Sequence, residues 1–392
     1  MNVLASENEC PPLGEQSSNQ LLTHLRGWIG PAVLSNSGVR DILFQGFWLM
    51  ELSSTSGVTG ARHHPGLCGL INSGNSCYMN AVLQCLCSTV PLVEHFLNEQ
   101  TKEEISRGSC EVAGAFVTFL ETMWSGQMDT RCLSKVRAQM CGQHSLFSSN
   151  SQQDAQEFLL FLFNALHDDL ARVSSHCWGL FAHSRRGDST VITNLFEGQL
   201  TYITLCMRCD HQTHSNQIFT ILSLPIPPDI YKCQLQDCLA LFFQQSTLTK
   251  GDQMWCPQCG MRRDTAVLTT LCQLPEILIL HLKRFDCQGQ TKKKLRTNVI
   301  FPLNNLDLTP YLSKTSSQQN SYSLYGVVNH TGDLDMGHYT ACCRSTMTRS
   351  WHVFDDANVE SIDDFVVQSP NAYILLYSQT VRSHSTFQRH DN

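Results

Sequence analysis

A change of class near residue 195 constrains this chain more than any other feature. Before it, apolar residues recur at helical spacing: Met79, Val82, Leu83 and Leu86, then Val112, Phe116, Phe119 and Leu120, then Phe158, Leu159, Leu162, Phe163, Leu166 and Leu170. From Ile192 onward short β-rich runs replace them, beginning with Gly198 to Thr204 and Gln217 to Leu224. A helical part followed by a sheet-forming part is expected, with the boundary near 195. Leu274 to Phe285 reads as a buried strand by its apolar run, and Tyr322 to Asn329, His338 to Cys343 and Tyr373 to Tyr377 as further strands. Across a Gly289 turn, Leu295 to Phe301 is expected to return as the hairpin partner of Leu274 to Phe285. Lys292, Lys293, Lys294 and Arg296 would then form a solvated edge blunted by charge.

Within the β part, Cys206 with Cys209 and Cys256 with Cys259 form two Cys-x-x-Cys pairs. Each pair can close a knuckle whose backbone N–H groups point at sulfur, and two knuckles complete a tetrahedral Cys₄ site suited to structural Zn²⁺. A redox role is disfavoured, because neither pair opens a helix in a βαβ pattern. The cysteine count of 19 is odd, and Met1 to Glu7 lacks the basic-then-apolar order of a secretory signal. Reduced thiols and an intracellular setting are expected, in the cytoplasm with the nucleus as a second compartment. A net charge of -7 leaves no global basic field for nucleic acid, and no apolar run has membrane-spanning length. A partner with a basic face suits such a chain better.

Gly66 to Gln84 contains the first candidate for chemistry. Its first half is rich in Gly, Asn and Ser, and its second half takes helical spacing, so Cys77 falls at a loop-to-helix junction. Unpaired N–H groups and the positive end of the helix dipole favour a thiolate there, which makes Cys77 a candidate nucleophile. A buried structural cysteine is the alternative reading. Far along the chain, His338 follows a glycine at a loop-strand edge, and a short turn between antiparallel neighbours would set Asp355 beside it. A carboxylate on the far imidazole nitrogen would fix the tautomer. His281, inside an apolar strand, reads as a packed histidine. Asp154 and Glu157 open a helix, where carboxylates favour the dipole. Residues 1–64 read as a weakly ordered extension with one apolar patch, Asp41 to Met50, that packs back on the main domain. Arg172 to Asp188 reads as a surface loop and 381–392 as a polar tail.

Together, Gly69 to Asn80, Gln152 to Phe158, the two Cys-x-x-Cys pairs, Leu280 to Phe285, Gly337 to Ala341 and Phe354-Asp355-Asp356 resemble the motifs of the ubiquitin-specific proteases, in that family's order. The resemblance covers about residues 66–378. It implies an α+β, papain-like cysteine protease fold: a helical thumb (about 66–195), zinc-ribbon β fingers (about 196–272) and a β-sheet palm (about 273–378) within a catalytic domain at 65–380. It implies hydrolysis of the bond after the C-terminal glycine of ubiquitin, with ubiquitin and ubiquitinated proteins as partners. By the same resemblance Cys77 is the nucleophile, His338 the base, Asp355 the third member and Asn72 the oxyanion donor. Asp154 and Glu157 would face the basic ubiquitin tail, and Cys206, Cys209, Cys256 and Cys259 would hold zinc.

Two positions depart from the family pattern. Ser76 stands where the family usually has threonine and keeps the hydroxyl. Met336 replaces the first glycine of Gly-Gly-His, a position where glycine permits positive φ and close passage of a substrate backbone. The expectation is an active enzyme slowed by Met336, with an inactive ubiquitin-binding pseudoenzyme as the alternative.

Overall fold

The computed structural model describes residues 64–126, 130–143, 147, 151–177, 189–288, 291–313, 321–333 and 336–380. The extension up to residue 63 with its apolar patch, the greater part of the 172–188 loop and the 381–392 tail lie outside the described residues.

The helical part comprises α1 (Cys77–Cys87), α2 (Val90–Phe96), α3 (Glu99–Arg107), α4 (Glu111–Ser125), α5 (Thr130–Gln143), α6 (Ala155–Cys177) and α7 (Val191–Phe196). Every residue of α1 is buried, including the polar Asn80 and Gln84. Those two amides have work to do, since the loop before the helix buries backbone carbonyls that need donors. Asn80 Nδ2 donates to the Leu70 carbonyl (3.2 Å), and Gln84 Nε2 donates to that of Cys68 (2.7 Å). Asp169 of α6 is buried too, and its carboxylate accepts the Val112 and Ala113 N–H groups at 2.9 Å, which ties α6 to the start of α4.

One further helix, α8 (Leu235–Phe243), lies among the strands. The strands that define the architecture are, in chain order, β1 (Gly198–Cys206), β2 (Gln212–Phe219), β3 (Leu222–Leu224), β4 (Ser246–Leu248), β5 (Thr265–Gln273) and β6 (Ile277–Leu282). They continue with β7 (Ser321–Gly332), β8 (Gly337–Arg344), β9 (Trp351–Asp355), β10 (Asn358–Ile362) and β11 (Ala372–Thr380). The large sheet runs β10-β9-β8-β7-β11-β6-β3, and α1 packs against β7, β8 and β9. Within it, β6 is buried except at His281 and β11 is buried from Ala372 to Tyr377. A second sheet, β2-β1-β5-β4, carries the knuckle Cys206 to Cys209 in the turn after β1. A small hairpin, Met254–Cys256 with Met261–Arg263, carries Cys256 and Cys259.

The expected pairing of Leu274–Phe285 with Leu295–Phe301 does not form. β6 instead pairs antiparallel with β11 and parallel with β3, while the hairpin is the shorter Phe285–Gln288 with Thr291–Lys294. Asn298–Ile300 pairs in parallel with Lys232–Gln234. Arg284 accounts for the change. Its side chain is fully buried, and its guanidinium donates to the carbonyls of Ala372 (2.6 Å), Leu295 (3.2 Å) and Thr297 (2.8 Å). Two of the carbonyls between the hairpin and Asn298 therefore serve a side chain and not a ladder. Lys294 is also not a solvated edge lysine, because it is half-buried and hydrogen-bonds to His330 and Gly332.

Candidate active site

The loop before α1 is shaped by its own polar side chains. Gly74 (φ 91°) and Asn75 (φ 54°) take the left-handed backbone that the sharp reversal requires. Asn72 Oδ1 accepts from the Ser76 N–H (3.1 Å) and hydroxyl (3.3 Å), and Ser76 Oγ accepts from the Ser73 N–H (3.0 Å). This closes the loop and delivers Cys77 as the first residue of the helix. The thiol lies within reach of three backbone N–H groups, those of Tyr339, Tyr78 and Cys77 itself. All three favour thiolate, as the helix-start argument expects. Burial outweighs them and, with the Asp356 carboxylate adding to it, holds the Cys77 thiol above its ordinary value. A thiolate at Cys77 would therefore have to be generated by a base.

The candidate base, His338, is placed by the large sheet. β8 and β9 pair antiparallel (Ala341 with Phe354, Arg344 with Trp351), which brings the start of β8 beside the end of β9. His338 Nε2 meets Asp355 Oδ1 at 2.6 Å. A carboxylate accepts, so this nitrogen carries the hydrogen and Nδ1 is left as the basic lone pair of the neutral ring. His338 and Tyr339 lie at the start of β8, the strand on which α1 packs, and the Tyr339 N–H is among the groups that favour thiolate at Cys77.

Several residues to which the sequence assigned no separate role hold these parts together. Asp356 occupies the two-residue turn between β9 and β10 with φ 50°. Its Oδ2 accepts from Asn72 Nδ2 (3.0 Å), its Oδ1 from Asn80 Nδ2 (2.7 Å), and its backbone carbonyl from the Leu70 N–H (2.7 Å). One amide hydrogen of Asn72 is thus engaged, leaving the second for a ligand. Gln152 reaches across to Gly337, accepting its N–H (2.9 Å) and donating to its carbonyl (2.7 Å). The signals were the second aspartate of Phe354-Asp355-Asp356 and the glutamine pair before α6, but neither discloses its partner.

An open groove of about 770 Å³ is lined by Asn75, Ser151, Gln152, Thr331, Gly332, Met336, Gly337 and His338. Among the described residues of the histidine loop, the positive φ falls on Gly332 (79°) and not on Met336, whose side chain is 83% exposed. Methionine is thus accommodated without backbone strain. Asp154 is the cap of α6: its Oδ1 accepts the Gln156 (2.7 Å) and Glu157 (3.3 Å) N–H groups, and its Oδ2 accepts the Tyr373 hydroxyl (2.6 Å). Glu157 is exposed one turn further on.

At the knuckles, the sulfurs of Cys206, Cys209, Cys256 and Cys259 all lie within 4.8 Å of one another, with Cys206 to Cys259 at 4.0 Å and Cys209 to Cys256 at 3.5 Å. A tetrahedral zinc with thiolate bonds of about 2.3 Å sets sulfurs about 3.8 Å apart, so the four residues fit such an ion. Each knuckle is closed by a backbone bond, Asp210 N–H to the Cys206 carbonyl and Gly260 N–H to that of Cys256, both at 2.9 Å. Glycine at 260 supplies the positive φ (66°) of the second turn. Backbone donation, chiefly from Arg208, draws the Cys206 thiol down to about 7.

Comparison with known proteins places these features in context. A model of the family described as ubiquitin carboxyl-terminal hydrolase matches residues 68–377. Ubiquitin carboxyl-terminal hydrolase 2 of Homo sapiens is 34% identical over 351 residues, covering 83% of this chain and 57% of that protein. Ubiquitin carboxyl-terminal hydrolase 21 of Homo sapiens is 30% identical over 423 residues, covering 96% of this chain and 74% of that protein. The chain thus spans less than two thirds of the first relative's length. Among solved structures, a SAGA Ubp8/Sgf11/Sus1/Sgf73 DUB module bound to ubiquitin aldehyde aligns with a TM-score of 0.71 at 24% identity, covering 90% of this chain and 77% of that one. The expected α+β architecture of helical thumb, β palm and Cys₄-bearing fingers is the fold observed.

Proposed function

Because the chain belongs to the ubiquitin carboxyl-terminal hydrolase family, we propose that it is a thiol-dependent deubiquitinase that cleaves the (iso)peptide bond after the C-terminal glycine of ubiquitin. The observation that carries this reading is the 2.6 Å contact of His338 Nε2 with Asp355, at the start of the strand on which the helix beginning with Cys77 packs. His338 Nδ1 takes the thiol proton as Cys77 attacks the carbonyl. The oxyanion is met by the remaining amide hydrogen of Asn72 and the Cys77 N–H. His338 then protonates the leaving amine and activates the water that releases ubiquitin.

We assign the catalytic domain to 65–380, with Glu157 and Asp154 toward the basic ubiquitin tail and the four cysteines as ligands of a structural Zn²⁺. Ubiquitin and ubiquitinated proteins are the proposed partners. An intracellular setting, cytoplasmic and nuclear, is supported by the free thiols among the described residues. Within the family, Phe242 to Thr249 and Leu303 to Tyr311 look most like ubiquitin carboxyl-terminal hydrolase fifty and its larger endosomal relative, and the former is the finer placement proposed. The test is reaction with a C-terminally activated ubiquitin probe. Wild type should form a covalent adduct and Cys77→Ala none; an unreactive wild type, or equal labelling of both, removes the reading.

A further inference from the structure

The ammonium of Lys294 sits under the loop that carries His338. Its nitrogen lies 2.7 Å from the His330 carbonyl, 2.9 Å from the Gly332 carbonyl and 2.8 Å from His330 Nδ1. Three donors meet three acceptors. Since an ammonium only donates, His330 Nδ1 must accept, which puts the His330 hydrogen on Nε2. That edge of the ring abuts the histidine loop: a Cβ on Gly337 would stand 2.1 Å from His330 Nε2. The ring is boxed by Phe285 (centroids 5.2 Å apart) and Tyr339 (4.5 Å), so it cannot retreat. Both carbonyls held by Lys294 belong to β7 residues whose ladder partners flank His338, because His330 pairs with Tyr339 and Gly332 with Gly337.

The site is not one a lysine occupies for solubility. Burial first, and then Arg284 and Arg296, press the Lys294 ammonium down to about 8 against the opposing Asp333. Arg296 adds a second tie to the same loop through Asp333 at 3.0 Å.

We infer that Lys294, acting through His330, is a positioning residue for His338: it sets the floor on which Gly337 rests, while Gln152 clamps the same glycine from the α6 side. This deepens the deubiquitinase reading and rests on it. The consequence is a specific kinetic pattern. A shift of the imidazole by a fraction of an ångström slows proton transfer from Cys77, and Lys294 itself is not part of the groove lining, so the loss belongs chiefly in kcat.

The experiment compares wild type with Lys294→Met, which keeps the apolar stem, and Lys294→Gln, which keeps two amide N–H donors in place of the three of the ammonium. With a fluorogenic ubiquitin C-terminal amide, kcat should fall about tenfold or more in Lys294→Met and less in Lys294→Gln, with KM within about twofold in both. A second readout needs no ubiquitin. The rate of iodoacetamide alkylation at neutral pH, followed on the Cys77 peptide by mass spectrometry, should drop in Lys294→Met toward that of His338→Ala. Unchanged kcat and unchanged alkylation overturn the inference, as does a loss confined to KM. If Lys294→Met melts below the assay temperature, the Lys294→Gln comparison decides by the same criteria. Should wild type alkylate in a His338-dependent way yet hydrolyse no ubiquitin amide, the deubiquitinase reading fails and the alkylation rates alone judge Lys294.

Discussion

Gly69→Ala tests whether the nucleophile loop and the turn after Asp355 are one mechanical unit. A Cβ at this position would lie 2.2 Å from the Ala357 carbonyl oxygen and 2.5 Å from its carbon, both backbone atoms that no rotamer change can remove. Ordinary contact begins at 3.4 Å, so loop and turn must part by about 1.2 Å. The Leu70 N–H bond to the Asp356 carbonyl, now 2.7 Å, would stretch toward about 3.9 Å and be lost. The two amide bonds to the Asp356 carboxylate, from Asn80 at 2.7 Å and Asn72 at 3.0 Å, would weaken with it. One net backbone bond and part of two charge-assisted ones amount to about 2–4 kcal/mol of stability. The catalytic effect is larger, because Asn72 and Asp355 both move relative to Cys77: on the order of a hundredfold in kcat. Thermal melting and hydrolysis of a ubiquitin C-terminal amide measure the two effects. A variant with wild-type melting and kcat within twofold would show that the loop and turn are not coupled, and the geometric argument would fall.

Asp355→Ala frees His338 Nε2 and the ring can adopt the other tautomer, so kcat should drop on the order of 10²-fold with little change in ubiquitin affinity; equal loss in both would point to misfolding. Folded protein should contain one zinc per chain, and Cys256→Ser should lower both metal content and melting temperature, since structural zinc supplies folding free energy. Metal-free protein with an unaltered melting curve contradicts the Cys₄ assignment. Met336→Gly should leave kcat within about threefold, because Gly332 already carries the positive φ and the Met336 side chain is exposed. A gain beyond tenfold would show that methionine obstructs the groove. In His338→Ala, burial keeps the Cys77 thiol neutral below its raised value and ionised only above it, so alkylation should still be climbing at pH 9; a plateau near pH 7 would refute the burial argument.

What could be read from the sequence was what local spacing encodes. The apolar stripes of α4 and α6 repeat every turn, and the cysteine pairs lie three residues apart, so each announces its element without knowledge of the rest. Cys77, His338 and Asp355 were legible because each sits at a junction that turn residues mark. What was hidden depends on a partner far along the chain. Gln152 and Gly337 are 185 residues apart, and Asn72 and Asp356 are 284 apart, so no window that contains one contains the other.

Two misreadings share a cause, which is that burial changes what a polar group does. Arg284 lies near the end of the run read as a buried strand, with no partner assigned to its charge, and Lys294 lies in a basic run read as a solvated edge. Once buried, a guanidinium must find acceptors, and Arg284 takes the carbonyls that would have continued the expected hairpin. Lys294 takes those under the histidine loop by the same necessity. Cys77 follows the rule with opposite sign. The helix start and three N–H groups pull toward thiolate, yet enclosure between α1 and β8 pushes harder. If Cys77 is the nucleophile, a thiol that burial keeps neutral depends on a base at a set position, and on that reading the residues that hold the His338 loop bear as directly on the proposed reaction as those around the thiol.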